Sequence, residues 1–160
     1  MPSFDIVSEI NSHELDNAIN QTNQEIARRF DLKDSGAKVS FEENKITITA
    51  DDKFHVDQVK KTLESRLIAR KIDIRSLKED KLETSLSEAR QHFTLLEGID
   101  TPNGKKINQL IKSSKIKAQS SIMENKVRVT AKKRDDLQTI MEMLKAEKFE
   151  LPLQFNNFRD

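Results

Sequence analysis

The chain has 160 residues, with 28 Lys+Arg against 27 Asp+Glu, a formal net charge of +1, eight Phe, and no Cys, Trp or Tyr. Without cysteine there is neither a disulfide framework nor a thiolate metal site. No apolar run approaches the roughly 18 residues of a membrane span, and MPSFDIVSEI lacks the basic flank and apolar core of a signal peptide, so a soluble, cytoplasmic protein is expected.

In chain order, Ser3–Glu9 reads as an opening strand. A helix follows, striped by Leu15, Ala18, Ile19, Ile26 and Phe30, with Asn11 and Glu14 as a capping box. Lys38–Glu42 and Lys45–Ala50 pair across Glu43-Asn44. A second helix carries Val56, Val59, Leu63 and Leu67, and Ile72–Arg75 closes the half as a short strand. The polar stretch Ser76–Glu88 reads as a linker. The plan then repeats: strand Arg90–Glu97, a helix with Ile107, Leu110 and Ile111 capped by Thr101 before Pro102, strands Lys117–Ile122 and Lys126–Ala131, a helix with Leu137, Ile140, Met141 and Leu144, and strand Leu153–Phe158. Phe155 and Phe158 are three apart and cannot share a face of a regular strand. One of them is expected to pack across a sheet edge or between the halves, as a structural lock.

Direct sequence likeness supports duplication. Residues 43–50 read ENKITITA and residues 124–131 read ENKVRVTA. A shift of half the chain length implies two copies of a domain, since solenoid repeats are shorter and more numerous. Each half reads strand, helix, strand, strand, helix, strand. The expected class is therefore α+β, with two tandem ferredoxin-like domains, each a four-stranded antiparallel sheet with two helices on one face. Residues 1–78 form the first, 79–88 the linker and 89–160 the second. A single eight-stranded domain, or halves that exchange terminal strands, fits the same periodicities.

Charge is unevenly placed. Asn103 to Arg134 holds ten Lys or Arg and one acid, Glu124. In the second half, Val127, Val129 and Ala131 should face the helices, leaving Lys126, Arg128, Thr130 and Lys132 on the open face. The same alternation sends out Lys117, Gln119 and Ser121, and Arg90, His92 and Thr94 on the opening strand. This outward set has four strong cations, Arg90, Lys117, Lys126 and Arg128, and no carboxylate. Arg offers a planar fork to phosphate or a guanine edge, and Lys a mobile point charge. An ordinary solvated face would mix acids with bases, as Lys38, Ser40, Glu42, Lys45, Thr47 and Thr49 do in the first half. The cluster therefore favours anion binding. Lys105 and Lys106, at a helix start after Gly98, form a second candidate, which a capped turn also explains. Only His92 could stack on a base in the manner of aromatic RNA-binding sheets.

Enzyme signatures are absent. His13, His55 and His92 lie in separate elements without metal-ligand spacing, and no G-x-S-x-G or G-x-G-x-x-G occurs. Asp51-Asp52 and Asp135-Asp136 sit at helix starts, where capping and the helix dipole account for them. The expectation is a non-enzymatic protein with no cofactor and no metal.

The blocks PSFDIVSE, RQHFTLLEGI, KKINQLIKSSKIKAQSSI, KVRVTAKKRDDLQ and LPLQFNNFRD resemble the YajQ family of bacteria, nearly end to end. The resemblance implies two ferredoxin-like domains and a nucleotide-binding role, with GTP, cyclic di-GMP and tRNA or other RNA among the family's ligands. It also implies, for some members, action through a partner transcription regulator. Departures from the family pattern are Glu124-Asn125 in the second hairpin, Ala131 after the V-x-V-T strand, and Lys145–Leu151 before the last strand. The expected function is thus binding of a phosphate-rich guanine ligand, or of RNA, through Arg90, His92, Lys117, Lys126, Arg128 and Lys132, with Lys105 and Lys106 nearby. An adaptor whose basic face meets an acidic protein is the alternative.

Overall fold

The opening strand β1 (Ser3–Val7) pairs with segments more than a hundred residues away. In a computed structural model describing Met1–Asp160, β1 lies antiparallel between β7 (Lys126–Ala131) and β8 (Gln154–Arg159), with Phe4 opposite Val129 and Ile6 opposite both Val127 and Phe155. Strand β6 (Ala118–Met123) completes this sheet in the order β6-β7-β1-β8. The other sheet runs β2 (Lys38–Glu42), β3 (Lys45–Ala50), β5 (Ala89–Leu95), β4 (Leu77–Thr84). The chain accordingly forms two compact units, one of Met1–Glu9 with Glu97–Asp160 and the other of Ile10–Leu96.

Both units are α+β, and both have the four-stranded antiparallel arrangement expected of the ferredoxin-like plan. The division into 1–78, 79–88 and 89–160 gives way to an exchange of opening strands: β1 serves the second repeat and β5 the first. This is the exchange of terminal strands that the periodicities also fit, and two physical reasons kept alternation from deciding for it. Phe4 and Ile6 alternate in the same manner as Phe93 and Leu95, so either strand fits either core. Residues 79–84 are not linker but most of β4, an edge strand so charged that only Leu77 and Leu82 pack on the core. The short strand expected at Ile72–Arg75 is instead the approach to a 3-10 turn, Ile74–Ser76.

Helices α1 (Ser12–Arg28) and α2 (Lys53–Ala69) cover one face of the sheet of residues 10–96, placing Leu15, Ile19, Ile26, Val56, Val59 and Leu63 against Ile46, Ile48, Phe93 and Leu95. Helices α3 (Thr101–Ser113) and α4 (Arg134–Ala146) do the same in the other unit, where Ile107, Ile111, Leu137, Ile140 and Leu144 meet Phe4, Ile6, Val127 and Val129. Asn11 caps α1 by accepting from the Glu14 N–H, as its spacing requires. The cap of α3 is Asp100, which accepts from the Asn103 N–H, rather than Thr101, one residue inside the helix. Asp52 caps α2, whereas Asp135 and Asp136 lie within the first turn of α4 and complement its dipole only.

The ending resolves differently from expectation. Asn157 adopts a left-handed backbone, φ 55°, where the β1–β8 register shifts. This bulge inserts a residue, so Phe155 and Phe158 reach the same side of the strand. Both rings contact Phe4, at centroid distances of 5.7 Å (edge-on) and 5.9 Å (stacked). Phe4 is fully buried, and its ring joins β1 to β8 across this core. Phe4→Ala should therefore cost about 3–5 kcal/mol, read from urea unfolding by circular dichroism. Phe30→Ala, at a largely exposed ring, should stay within about 0.5 kcal/mol.

Candidate functional site: the open sheet face of residues 1–9 and 97–160

Because helices cover one face of this sheet, the alternate residues of each strand line the other. β7 contributes Lys126, Arg128 and Thr130. β6 contributes Met123, Ser121 and Gln119, which stand opposite those three residues in register. β1, on the far side of β7, brings Asp5 directly opposite Arg128. Its alternation is sharp: Phe4 and Ile6 enter the core, while Asp5 faces the platform.

Asp5 is the centre of a polar cluster. Its side chain is only 2% exposed. Arg128 donates from Nε to Oδ1 at 2.9 Å and from Nη2 to Oδ2 at 3.4 Å, Lys126 Nζ donates to Oδ2 at 3.1 Å, and Asn157 Nδ2 donates to Oδ2 at 2.8 Å. The Arg128 hydrogen bond, more than any other contact, holds the Asp5 carboxyl well below the usual carboxylate range, with Asn157 and Lys126 adding to it against the opposing cost of burial. Asp5 in turn raises Arg128. The bulge in β8 is what turns Asn157 toward Asp5, so the same backbone feature serves the core and the platform.

The platform thus differs from the acid-free outward set expected from alternation. Arg90 and His92 are not on it. They stand on β5 in the other unit, a consequence of the strand exchange. There Arg90 pairs with Glu88, and His92 lies 2.9 Å from Thr47 Oγ1 through Nδ1 and 2.9 Å from Glu83 Oε1 through Nε2. A carboxylate stands in the remaining set, again because β1 replaced β5. The signal for Asp5 was present in the alternation of Phe4, Asp5 and Ile6, but reading it required knowing which sheet β1 joins. Lys117 and Lys132 flank the strand ends next to the Ala118–Ala131 pair and are exposed, without ion pairs. Lys105 and Lys106 belong to α3 on the covered side, and Lys106 sits 4.8 Å from the Phe149 ring centroid and donates to the Lys148 carbonyl at 3.4 Å.

Around β6 lies a cleft of about 590 Å³, lined by Gln119, Ser121, Met123, Arg128 and Thr130 from the open face and by Ile111, Lys112, Ala118 and Ser120 from the α3 side. Its lining has two cations and no carboxylate. Lys112 has no ion pair, and Arg128 keeps Nη1 outside the Asp5 bonds. Sequence reasoning missed Lys112 because it looked on α3 only at the helix start, Lys105 and Lys106, and not at its last turn, which borders β6.

A sequence profile described as nucleotide-binding protein YajQ-like matches residues 2–159. The chain belongs to the YajQ-like family. Similar relatives include a nucleotide-binding protein of Stenotrophomonas maltophilia, 51% identical over the whole of both chains. A cyclic di-GMP-binding protein from another strain of that species is 50% identical, and a nucleotide-binding protein of Bordetella avium 47%, both again over full length. No helix of this YajQ-like chain is long and apolar enough to cross a membrane. A third grouping, Asp51, Asp52 and His55, converges at the start of α2. It is accounted for by the Asp52 cap and by the 2.6 Å contact between His55 Nδ1 and Asp51 Oδ1.

The Asp5 cluster has a pH signature. A carboxylate whose folded pKa is depressed adds stability above its unfolded value of about 3.9, and that stability is lost as pH falls toward the folded value. Asp5→Asn should therefore destabilise the fold by about 1–3 kcal/mol at neutral pH. The gap from the parent protein should narrow below about pH 4, as measured by urea midpoints across an acid series.

Proposed function

We propose that this protein binds a phosphate-rich guanine nucleotide, with cyclic di-GMP as the leading ligand and GTP or RNA such as tRNA as members of the same chemical class, and releases it unchanged. The observation that carries this reading is the acid-free cleft beside β6. Its volume falls in the range of small-molecule sites, about 300–1,000 Å³. Arg128, oriented by Asp5 through one edge of its guanidinium, offers the remaining N–H groups to phosphate or to the O6/N7 edge of guanine. Lys112 in the lining, and Lys117 and Lys132 at the strand ends, supply mobile positive charge. Gln119, Ser121 and Thr130 supply hydrogen-bonding groups, while Ile111 and Met123 offer apolar flanks to a base. The names of full-length relatives at about half identity, one of them a cyclic di-GMP-binding protein, support the ligand class.

Asp5 neutralises one of the two charges that Lys126 and Arg128 bring, so the platform is moderately basic. A small ligand with two or three charges suits it better than a long polyanion. Calorimetric titration with cyclic di-GMP, GTP and tRNA at two salt concentrations tests this. Salt should weaken the dinucleotide less than tRNA, which would release more counterions. Arg128→Ala and Lys112→Ala should each lower dinucleotide affinity by about tenfold, while Arg90→Ala should leave it unchanged. Equal isotherms for Arg128→Ala and the parent protein would remove Arg128 from the site. Conversion of GTP to GDP would overturn binding without turnover.

A further inference from the structure

A four-stranded sheet has two edges, and an exposed edge is a row of unpaired N–H and C=O groups that folded proteins normally guard with charges, bulges or cover. Three of the four edges in this chain are guarded. β4 carries Lys78, Glu79, Asp80, Lys81 and Glu83 and shifts register between Glu79 and Leu82. β8 carries the Asn157 bulge. β2 begins with Lys38 and ends with Glu42, and a side chain covers its middle: Asn23 Nδ2 donates to the Val39 carbonyl at 2.8 Å, and the Val39 N–H donates to Asn23 Oδ1 at 2.8 Å.

The fourth edge, β6, has none of these. Its sequence, AQSSIM, contains no charge and no proline, and its register with β7 is unbroken from Ala118 to Met123. The two-residue turn Glu124-Asn125 makes Met123 and Lys126 a hydrogen-bonded pair. By the alternation of an antiparallel ladder, Ser121 and Gln119 then bond to β7, and the backbone groups of Ser120 and Ile122 point to the free edge. The duplicated hairpin confirms this phase. Ser120 corresponds to Val39, whose outward N–H and C=O are the groups that Asn23 covers.

The helices correspond too. Ile19, Thr22 and Ile26 are buried on α1 with the spacing of Gly104, Ile107 and Ile111 on α3, which places Asn108 where α1 has Asn23. Asn108 does not repeat the cover: its Oδ1 is buried without any hydrogen-bond partner. One repeat has closed its edge with an amide, while the other leaves both the strand and the amide oxygen unsatisfied. The surroundings are basic. Lys112, Lys115 and Lys117 lie along the helix end and the loop leading into β6 and have no ion pair, with Glu124 the nearest acid in sequence, at the far end.

We propose that β6 is a docking edge for an extended acidic segment of another protein. The segment adds as a fifth strand through the backbone groups of Ser120 and Ile122, with its carboxylates toward Lys112, Lys115 and Lys117. The edge shares Lys112 and Ser120 with the cleft lining, so a nucleotide there would compete with the segment, but the test below uses nucleotide-free protein and its outcome does not depend on the nucleotide reading.

The test uses the full chain and three fluorescein-labelled ten-residue peptides: alternating Glu-Val, the same peptide N-methylated at its four central residues so that both of its edges are blocked, and alternating Lys-Val. Anisotropy should show binding of Glu-Val alone, with N-methylation weakening it at least about tenfold, the loss expected for a few main-chain hydrogen bonds. Ser120→Pro removes an outward N–H without touching the ladder to β7 and should weaken Glu-Val similarly. Hydrogen exchange should show the Ser120 and Ile122 amides fast in the free protein and slowed by Glu-Val. The proposal is overturned by absence of Glu-Val binding at millimolar peptide, by equal binding of the N-methylated or Lys-Val peptide, or by amides already slow in the free protein, whether through Asn108 or through self-association seen in sedimentation. Because the N-methylated peptide probes the unaltered protein, the outcome does not depend on how Ser120→Pro folds.

Discussion

The ladder of β1 between β7 and β8 is the constraint on which the unit of residues 1–9 and 97–160 depends. One five-residue strand supplies two opposite chemistries through its alternation. Toward the helices it gives Phe4 and Ile6, both fully buried, and Phe4 gathers Phe155 and Phe158 around it. Toward the open face it gives Asp5, which gathers Lys126, Arg128 and Asn157. A slip of one residue would place a carboxylate in the core and phenylalanine on the platform, so both sets of contacts select the same register. The Asn157 bulge reconciles them on β8, since a regular strand could not bring two rings to Phe4 and an amide to Asp5 in so short a span.

The same ladder decides what the open face can do. Lys126 and Arg128 are not free charges, because a nearly buried carboxylate lies between them. Burial of Asp5 is tolerable only because charge-assisted hydrogen bonds from three side chains satisfy it. In return Arg128 is held by one edge of its guanidinium. A fixed planar fork recognises a ligand at a lower entropic cost than a mobile one. The cations that remain unpaired, Lys112, Lys117 and Lys132, are distributed around that fixed group.

Much of this fold could be read from residue patterns. The likeness of ENKITITA to ENKVRVTA gave the duplication, and the two-residue turns at Glu43-Asn44 and Glu124-Asn125 gave both hairpins in register. The stripes of Val56, Val59, Leu63 and Leu67, and of Leu137, Ile140, Met141 and Leu144, identified core faces. What could not be read was partnership. Alternation says which residues of a strand share a face but not which sheet the strand enters, and β1 and β5 are interchangeable by that criterion. From this one ambiguity came both the placement of Arg90 and His92 beside Arg128 and the omission of Asp5. β4 escaped notice because LKEDKLET has the composition of a linker, with only Leu77 and Leu82 to pack on the core beside its backbone pairing with β5.

The two repeats have diverged in how they settle their polar groups, and this separates a scaffold surface from a recognition surface more clearly than net charge does. On the open face of the sheet of residues 10–96, donors meet acceptors in place: His92 lies between Thr47 and Glu83, Thr94 donates to Asp80 at 2.6 Å, and Arg90 pairs with Glu88. Its β2 edge is closed by Asn23. In the other repeat the strand matching β2 is open, the matching asparagine has an unpartnered oxygen, and the nearby lysines lack carboxylates. Leaving such groups unsatisfied carries a cost in stability, and the sister repeat shows that the same residue type, Asn23, can close the edge. Around β6 and α3 the unpartnered Asn108 oxygen, the open strand edge and the unpaired lysines stand side by side, the arrangement on which the proposed docking edge rests.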